Sequence, residues 1–170
     1  TISASTALEI TFKYFPYVSI FVLIIFFVGL LLANLFKIEK KPGILLASGT
    51  AICGATAMAA ISPLIKSKPK DLFVALAIIF IFNAFSIGIL PLVGIKLGMS
   101  SESFGAWSSM AVHDTSSVIG TAIAFGGSAL ETATTLKLSR TIWLIPLIII
   151  LGIFYPNKSR VKFPIFISLF

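Results

Sequence analysis

Tyr14-Phe-Pro-Tyr-Val-Ser-Ile-Phe-Val-Leu-Ile-Ile-Phe-Phe-Val-Gly-Leu-Leu-Leu-Ala-Asn-Leu-Phe36 contains no charged residue. As a helix rising 1.5 Å per residue it is about 34 Å long, enough to cross a hydrocarbon core of about 30 Å with some tilt. Lys13 and Lys37 bracket it, and Tyr14 and Tyr17 suit a headgroup interface. The stretch places the chain in a bilayer, and the composition agrees. Hydrophobic residues make up 58% of the chain and charged residues 11%, against roughly 45–50% and about 25% in soluble domains. A soluble fold of this size would be left with large exposed apolar patches. The net charge of +7 does not point to nucleic acid. The cations sit in short clusters between apolar runs, as at Lys37, Lys40 and Lys41 or Lys66, Lys68 and Lys70, where phosphate headgroups would meet them.

Working outward, the reading is an all-α, polytopic membrane helix bundle, one partial transmembrane domain over residues 1–170. The expected spans are 14–36, 44–65, 72–93, 103–126 and 138–155, with another starting at 163–170. They differ in texture. Residues 72–93 are lipid-like, with Asn83 the one strongly polar side chain. Residues 44–65 are rich in Gly, Ala, Ser and Thr, which permits close helix contact, and Gly49, Gly54 and Pro63 permit a break. Residues 103–126 carry Trp107, His113, Asp114 and a run of hydroxyls. Lys137 and Arg140, three apart and so on one helix face, are expected to snorkel to headgroups at the start of the fifth span, or to draw anions toward a cavity mouth. Thr1 to Lys13 is mixed, like the end of a preceding helix. The chain starts without methionine and ends inside an apolar run, so it is expected to be a fragment. No secretory leader is expected.

His113-Asp114 is the strongest chemical signal. A charged side chain in hydrocarbon costs at least about 2.5–3.5 kcal/mol, so such groups face a cavity or a partner. In one geometry the helix breaks near His113 and restarts with Asp114 as N-cap, its carboxylate accepting from the N–H of Ser116 or Ser117. The pair then either handles protons or a coupling ion, with Thr115, Ser116 and Ser117 toward substrate, or serves only as cap and packing residue. Metal ligation is the weaker alternative, with one His, one Cys and no metal-binding spacing. Ser48, Thr50, Cys53, Gly54 and Thr56 form a second candidate site. A helix interrupted at Gly49 or Gly54 exposes N–H groups and a positive dipole end at membrane depth. The alternative there is a tight helix crossing. Cys53 is not expected to be a nucleophile, since an apolar setting suppresses the thiolate. No Ser–His–Asp triad or phosphate loop is recognisable, so no catalytic residue, resident metal or cofactor is expected.

Topology turns on the loop cations. If every segment crosses, Lys and Arg split seven to six between the two faces; if both broken segments turn back, nine to four. The positive-inside rule therefore favours re-entrant segments.

Ile52-Cys-Gly-Ala-Thr-Ala-Met-Ala-Ala60, Phe104-Gly-Ala-Trp107, Ala111-Val-His-Asp-Thr-Ser-Ser-Val-Ile-Gly120 and Leu136-Lys-Leu-Ser-Arg140 together resemble the YeiH-like bacterial membrane proteins. These are conserved hypothetical proteins often labelled sulfate exporters. The resemblance runs over almost the whole chain and implies the middle of a protein about twice as long. It also implies a fold similar to bile-acid symporters and cation/proton antiporters, with inverted repeats and discontinuous core helices that do cross. On that ground crossing is expected here, against the charge tally.

The implied function is secondary transport of a small anion, plausibly sulfate or a related sulfur-containing acid, coupled to H⁺ or Na⁺ in the bacterial inner membrane. His113 and Asp114 would serve the coupling ion and the Gly54 break the substrate, because an ionised Asp114 would cancel the positive helix end an anion needs. Two alternatives stand beside it: an intramembrane enzyme using His113 and Asp114, and a non-transporting membrane subunit. Homo-oligomerisation is left open.

Overall fold

A computed structural model describes residues 4–155, and these are helical apart from short turns. The apolar run expected from residue 163 lies outside the described residues. In chain order the helices are α1 (Ala4–Leu35), α2 (Lys40–Ala51), α3 (Ala55–Ile65), α4 (Pro69–Lys96), α5 (Ser101–Ala111), α6 (Thr115–Phe125), α7 (Ala129–Thr141) and α8 (Leu144–Phe154). The mixed N-terminal stretch is continuous with the first span rather than the end of a separate helix. Among the described residues, three stretches are long and apolar enough to cross a membrane: Tyr14–Leu35, Pro69–Lys96 and Ala129–Phe154. In the last, Ile142 and Trp143 keep right-handed helical backbone, so α7 and α8 run on as one rod. That rod begins nine residues before the expected start at 138.

The two polar segments are broken, and their halves turn back instead of crossing. Had α2 and α3 continued in one direction, Lys41 and Lys66 would stand about 37 Å apart. Instead the Lys41 ammonium donates to the Lys66 carbonyl at 2.8 Å, and Lys68 pairs with Glu39 at 3.9 Å. The arms touch lower down, where Gly49 lies against Met58. The second segment behaves the same way. Phe104 near the start of α5 stacks on Phe125 at the end of α6, centroids 3.9 Å apart, and Gly127 lies against Ser101. The crossing topology implied by the family resemblance is therefore corrected. Both segments are re-entrant helical hairpins, as the cation tally favoured.

Their tips are made differently. At the first, Gly54 takes φ +63°, a conformation a residue with Cβ rarely adopts, and no side chain caps α3. At the second, Val112 is extended and the Asp114 carboxylate accepts from Ser116 N–H at 3.1 Å and Ser117 N–H at 3.3 Å.

The long helices fix the direction of each hairpin. Tyr14, at one end of the α1 span, donates to Glu102 at the mouth of the second hairpin (3.2 Å). α1 then runs to the first hairpin, and α4 leads back to the second. The end of α8 returns to the first mouth, where Phe154 and Tyr155 share a cavity with Lys41, Leu64, Ile65 and Lys66. The hairpins thus enter from opposite ends of the bundle. Small residues permit the closeness this needs: a Cβ on Gly43 would stand 2.9 Å from that of Ala33, and one on Gly29 3.0 Å from that of Ala47.

Candidate functional site

The two tips meet. A Cβ on Gly54 would lie 3.2 Å from both the carbonyl carbon and oxygen of His113 and 3.4 Å from the Asp114 nitrogen, so the first tip rests on the backbone of the second. Each tip joins the C-terminus of one helix to the N-terminus of the next. Four partial charges of backbone origin therefore gather at one level, two negative and two positive.

The negative ends are satisfied by α7. Arg140 Nε donates to the Ala51 carbonyl (2.6 Å), Nη2 donates to that of Thr50, and Nη1 donates to those of Ser109 and Met110 (both 3.1 Å). One guanidinium thus closes the last turns of both α2 and α5, while the Phe21 ring of α1 lies 5.1 Å below it. Lys137 Nζ donates to the Val112 carbonyl at 2.8 Å. Lys137 is 0% exposed and Arg140 2%. The snorkelling role expected for them is corrected: both point inward, near the middle of the Ala129–Phe154 rod. Here the alternative to a polar partner is a row of unpaired carbonyls in a dry interior, each costing about 1–3 kcal/mol. Planar Arg suits four carbonyls on two helices in a way that Lys does not.

The positive ends are treated unequally. That of α6 is covered by Asp114, the one carboxylate at the junction among the described residues. That of α3 has only Gly54 as its cap. Two basic side chains, one carboxylate and one helix N-terminus without an N-cap side chain therefore meet at the junction.

The residues expected from sequence fall into three groups. Gly54, Thr50, His113 and Asp114 are brought together at the tips, the His113 ring lying against the Thr50 carbonyl. Thr56, in the first turn of α3, and Ser116, in the first turn of α6, are exposed, with Thr115 and Ser117 half-buried beside them. Ser48 and Cys53 are enclosed. The Ser48 hydroxyl returns to the carbonyls of Ile44 (2.7 Å) and Leu45 (3.0 Å) in its own helix, and Cys53 sits against the Ala57 backbone. No group of three or more His, Cys, Asp or Glu able to hold a metal occurs among the described residues.

Asn83 was not expected in the site. From the middle of α4 its Oδ1 accepts from the His113 backbone N–H at 3.1 Å, the amide that the α5/α6 interruption releases. A lone amide in an apolar span was the available signal.

This geometry defines a helical membrane protein with two opposed helical hairpins joined at buried Lys137 and Arg140. The chain belongs to the family described as Conserved hypothetical protein 698, whose model matches residues 1–170, which is the YeiH-like family. Among curated relatives, it is 42% identical over 133 residues to a UPF0324 membrane protein of Vibrio parahaemolyticus, covering 78% of this chain and 43% of the relative. It is 43% identical over 138 residues to a UPF0324 membrane protein of Bacteroides thetaiotaomicron, covering 81% and 42%. The chain thus spans about half the length of the curated relatives it matches. No solved structure matches it significantly.

Proposed function

We propose that the whole protein is a secondary transporter for a small anion of the sulfate or sulfonate class, coupled to H⁺ or Na⁺. The observation that carries this reading is the meeting of the two tips around Arg140 and Lys137 at mid-bundle. Irregular backbone at membrane depth is tolerated where it is packed in protein or lines a cavity. Cations spent on helix C-termini leave the opposite helix ends free to face a negative solute. The anion is held at the uncapped N-terminus of α3, by Gly54 backbone and Thr56. Asp114 at the facing tip takes the coupling ion, with His113 beside it. Because each hairpin opens toward a different end of the bundle, displacing one or the other would expose the junction to one side at a time. That is the mechanical requirement of alternating access. An inverted-repeat relation between the two hairpins is part of the proposal.

Orientation follows from the same topology. With Lys137 and Arg140 removed from the loops, Lys37, Lys40, Lys41, Lys66, Lys68 and Lys70 gather at the mouth of the first hairpin, and Lys96 lies at the other end. The positive-inside rule then sets the first mouth toward the cytoplasm.

The test is flux of sulfate, sulfite, a short sulfonate and chloride into proteoliposomes of the full-length protein, with and without H⁺ and Na⁺ gradients. Gradient-driven oxyanion flux that loses its gradient dependence in Asp114→Asn is expected. Absence of flux for every anion, or equal flux with and without gradients in the wild type, would overturn the proposal.

A further inference from the structure

Asn83 is 1% exposed in an otherwise apolar stretch of α4, and its Oδ1 is committed to the His113 backbone N–H. That commitment fixes the orientation of the amide, because turning it over would set N–H against N–H. The group left over is therefore the Nδ2 amide, a donor only. It is buried and meets no acceptor among the described residues; the buried His113 Nδ1 also lacks a partner there, but with the other ring nitrogen turned to the Thr50 carbonyl it is an acceptor. A buried donor left open in this way costs about as much as a lost hydrogen bond. A structural clamp for the broken backbone would need only the carbonyl half of the side chain. The two orphan atoms belong to residues already bonded to each other, at the tip that carries Asp114.

We infer that Asn83 Nδ2 donates to a bound oxygen at the second hairpin tip. The ligand chemistry is an oxygen acceptor, supplied either by an oxyanion substrate or by a trapped water. In the first case the anion stays at Gly54 and Thr56 and turns one oxygen across the touching tips to Asn83, which then favours oxyanions over halides, and the inference rests on the transport reading above. In the second the water is a fixed part of the tip. Neither role follows from the amide–backbone bond alone.

The experiment uses the full-length protein in two arms. The first is an experimental density map with and without sulfate, at a resolution that shows ordered water. The second measures sulfate and chloride binding for wild type, Asn83→Leu and Asn83→Asp; the Asp variant keeps the acceptor for His113 N–H but loses the donor. Density for an oxygen beside Asn83 Nδ2 is expected. If it appears only with sulfate, sulfate affinity should fall about tenfold or more in both variants, and chloride affinity should change less in Asn83→Leu. If it is present without sulfate and affinity is unchanged, the oxygen is water and the site stands. No density in either map, with sulfate binding unaltered in Asn83→Asp, would overturn the inference. Wild-type protein that binds no anion would defeat the transport reading alone, and the sulfate-free map would still decide this one.

Discussion

The two hairpins perform the same turn by opposite means. The first is built by leaving side chains out. Gly54 supplies a left-handed residue, Gly49 lets Met58 close the arms, and no side chain caps α3. The second is built by adding them. Ser100 caps α5, Asp114 caps α6 and Asn83 holds the His113 N–H. They share one thing, the cations of α7 on their C-terminal carbonyls. The difference teaches that broken backbone inside this bundle has its carbonyls answered at both tips, whereas a carboxylate caps the next helix at one tip and the cap residue offers no side chain at the other.

Substitutions can break this contrast or sharpen it. Arg140→Leu strikes both tips at once and leaves four carbonyls without their donor. A loss of about 4 kcal/mol or more is expected, about 1 kcal/mol or more for each carbonyl, visible as failure to purify or a large drop in the unfolding midpoint. Arg140→Lys should recover only part of it. Lys137→Met removes the donor of Val112 alone, for about 1–3 kcal/mol, and hydrogen exchange should rise at the second tip and not the first. Equal exchange at both tips would show that they are not separately supported.

Gly54→Ala tests the tip made by absence. The backbone at φ +63°, ψ −120° strains any residue with a Cβ by about 1–3 kcal/mol, and the new methyl would press on His113 backbone that cannot swing aside, so a loss of at least about 2 kcal/mol in thermal unfolding is expected. Asp114→Ala tests the tip made by addition and should cost about 1 kcal/mol, while Asp114→Asn, an equally good cap, should be near neutral. If Asn were as damaging as Ala, the carboxylate would be acting through its charge and not as a cap. Gly88, whose Cβ would meet nothing within 4 Å, is the control: Gly88→Ala should stabilise by roughly 0.5–1 kcal/mol through helix propensity.

Much of this was legible in the chain. The uncharged run from Tyr14 to Phe36 announces a span because nothing else tolerates it in hydrocarbon. The Asp114 cap was readable from an acid followed by hydroxyls and then an apolar run. The lysine clusters at residues 37–41 and 66–70 pointed toward segments that turn back, but the tally also counted Lys137 and Arg140 as loop cations, which they are not, and the family resemblance was followed instead. Lys137 and Arg140 were misread because a cation before an apolar run looks the same whether it reaches headgroups or carbonyls. What separates the cases is the ten residues upstream, and those are polar here because α7 faces other helices. Asn83 stood out as an anomaly, but its partner, a backbone amide 30 residues away, leaves no mark in sequence.

The decisive measurement is thiol labelling of the full-length protein in native membranes with a membrane-impermeant reagent. Single cysteines at Thr56, Ser116 and Gly88 would be placed in a background where Cys53 and any other cysteine are replaced. Labelling at 56 and 116 that sulfate slows, with none at 88, is expected from an aqueous route reaching both hairpin tips. Protection of all three positions, or labelling at 56 and 116 that no anion alters, would mean that the tips are packed dry or hold no anion, contrary to the site described.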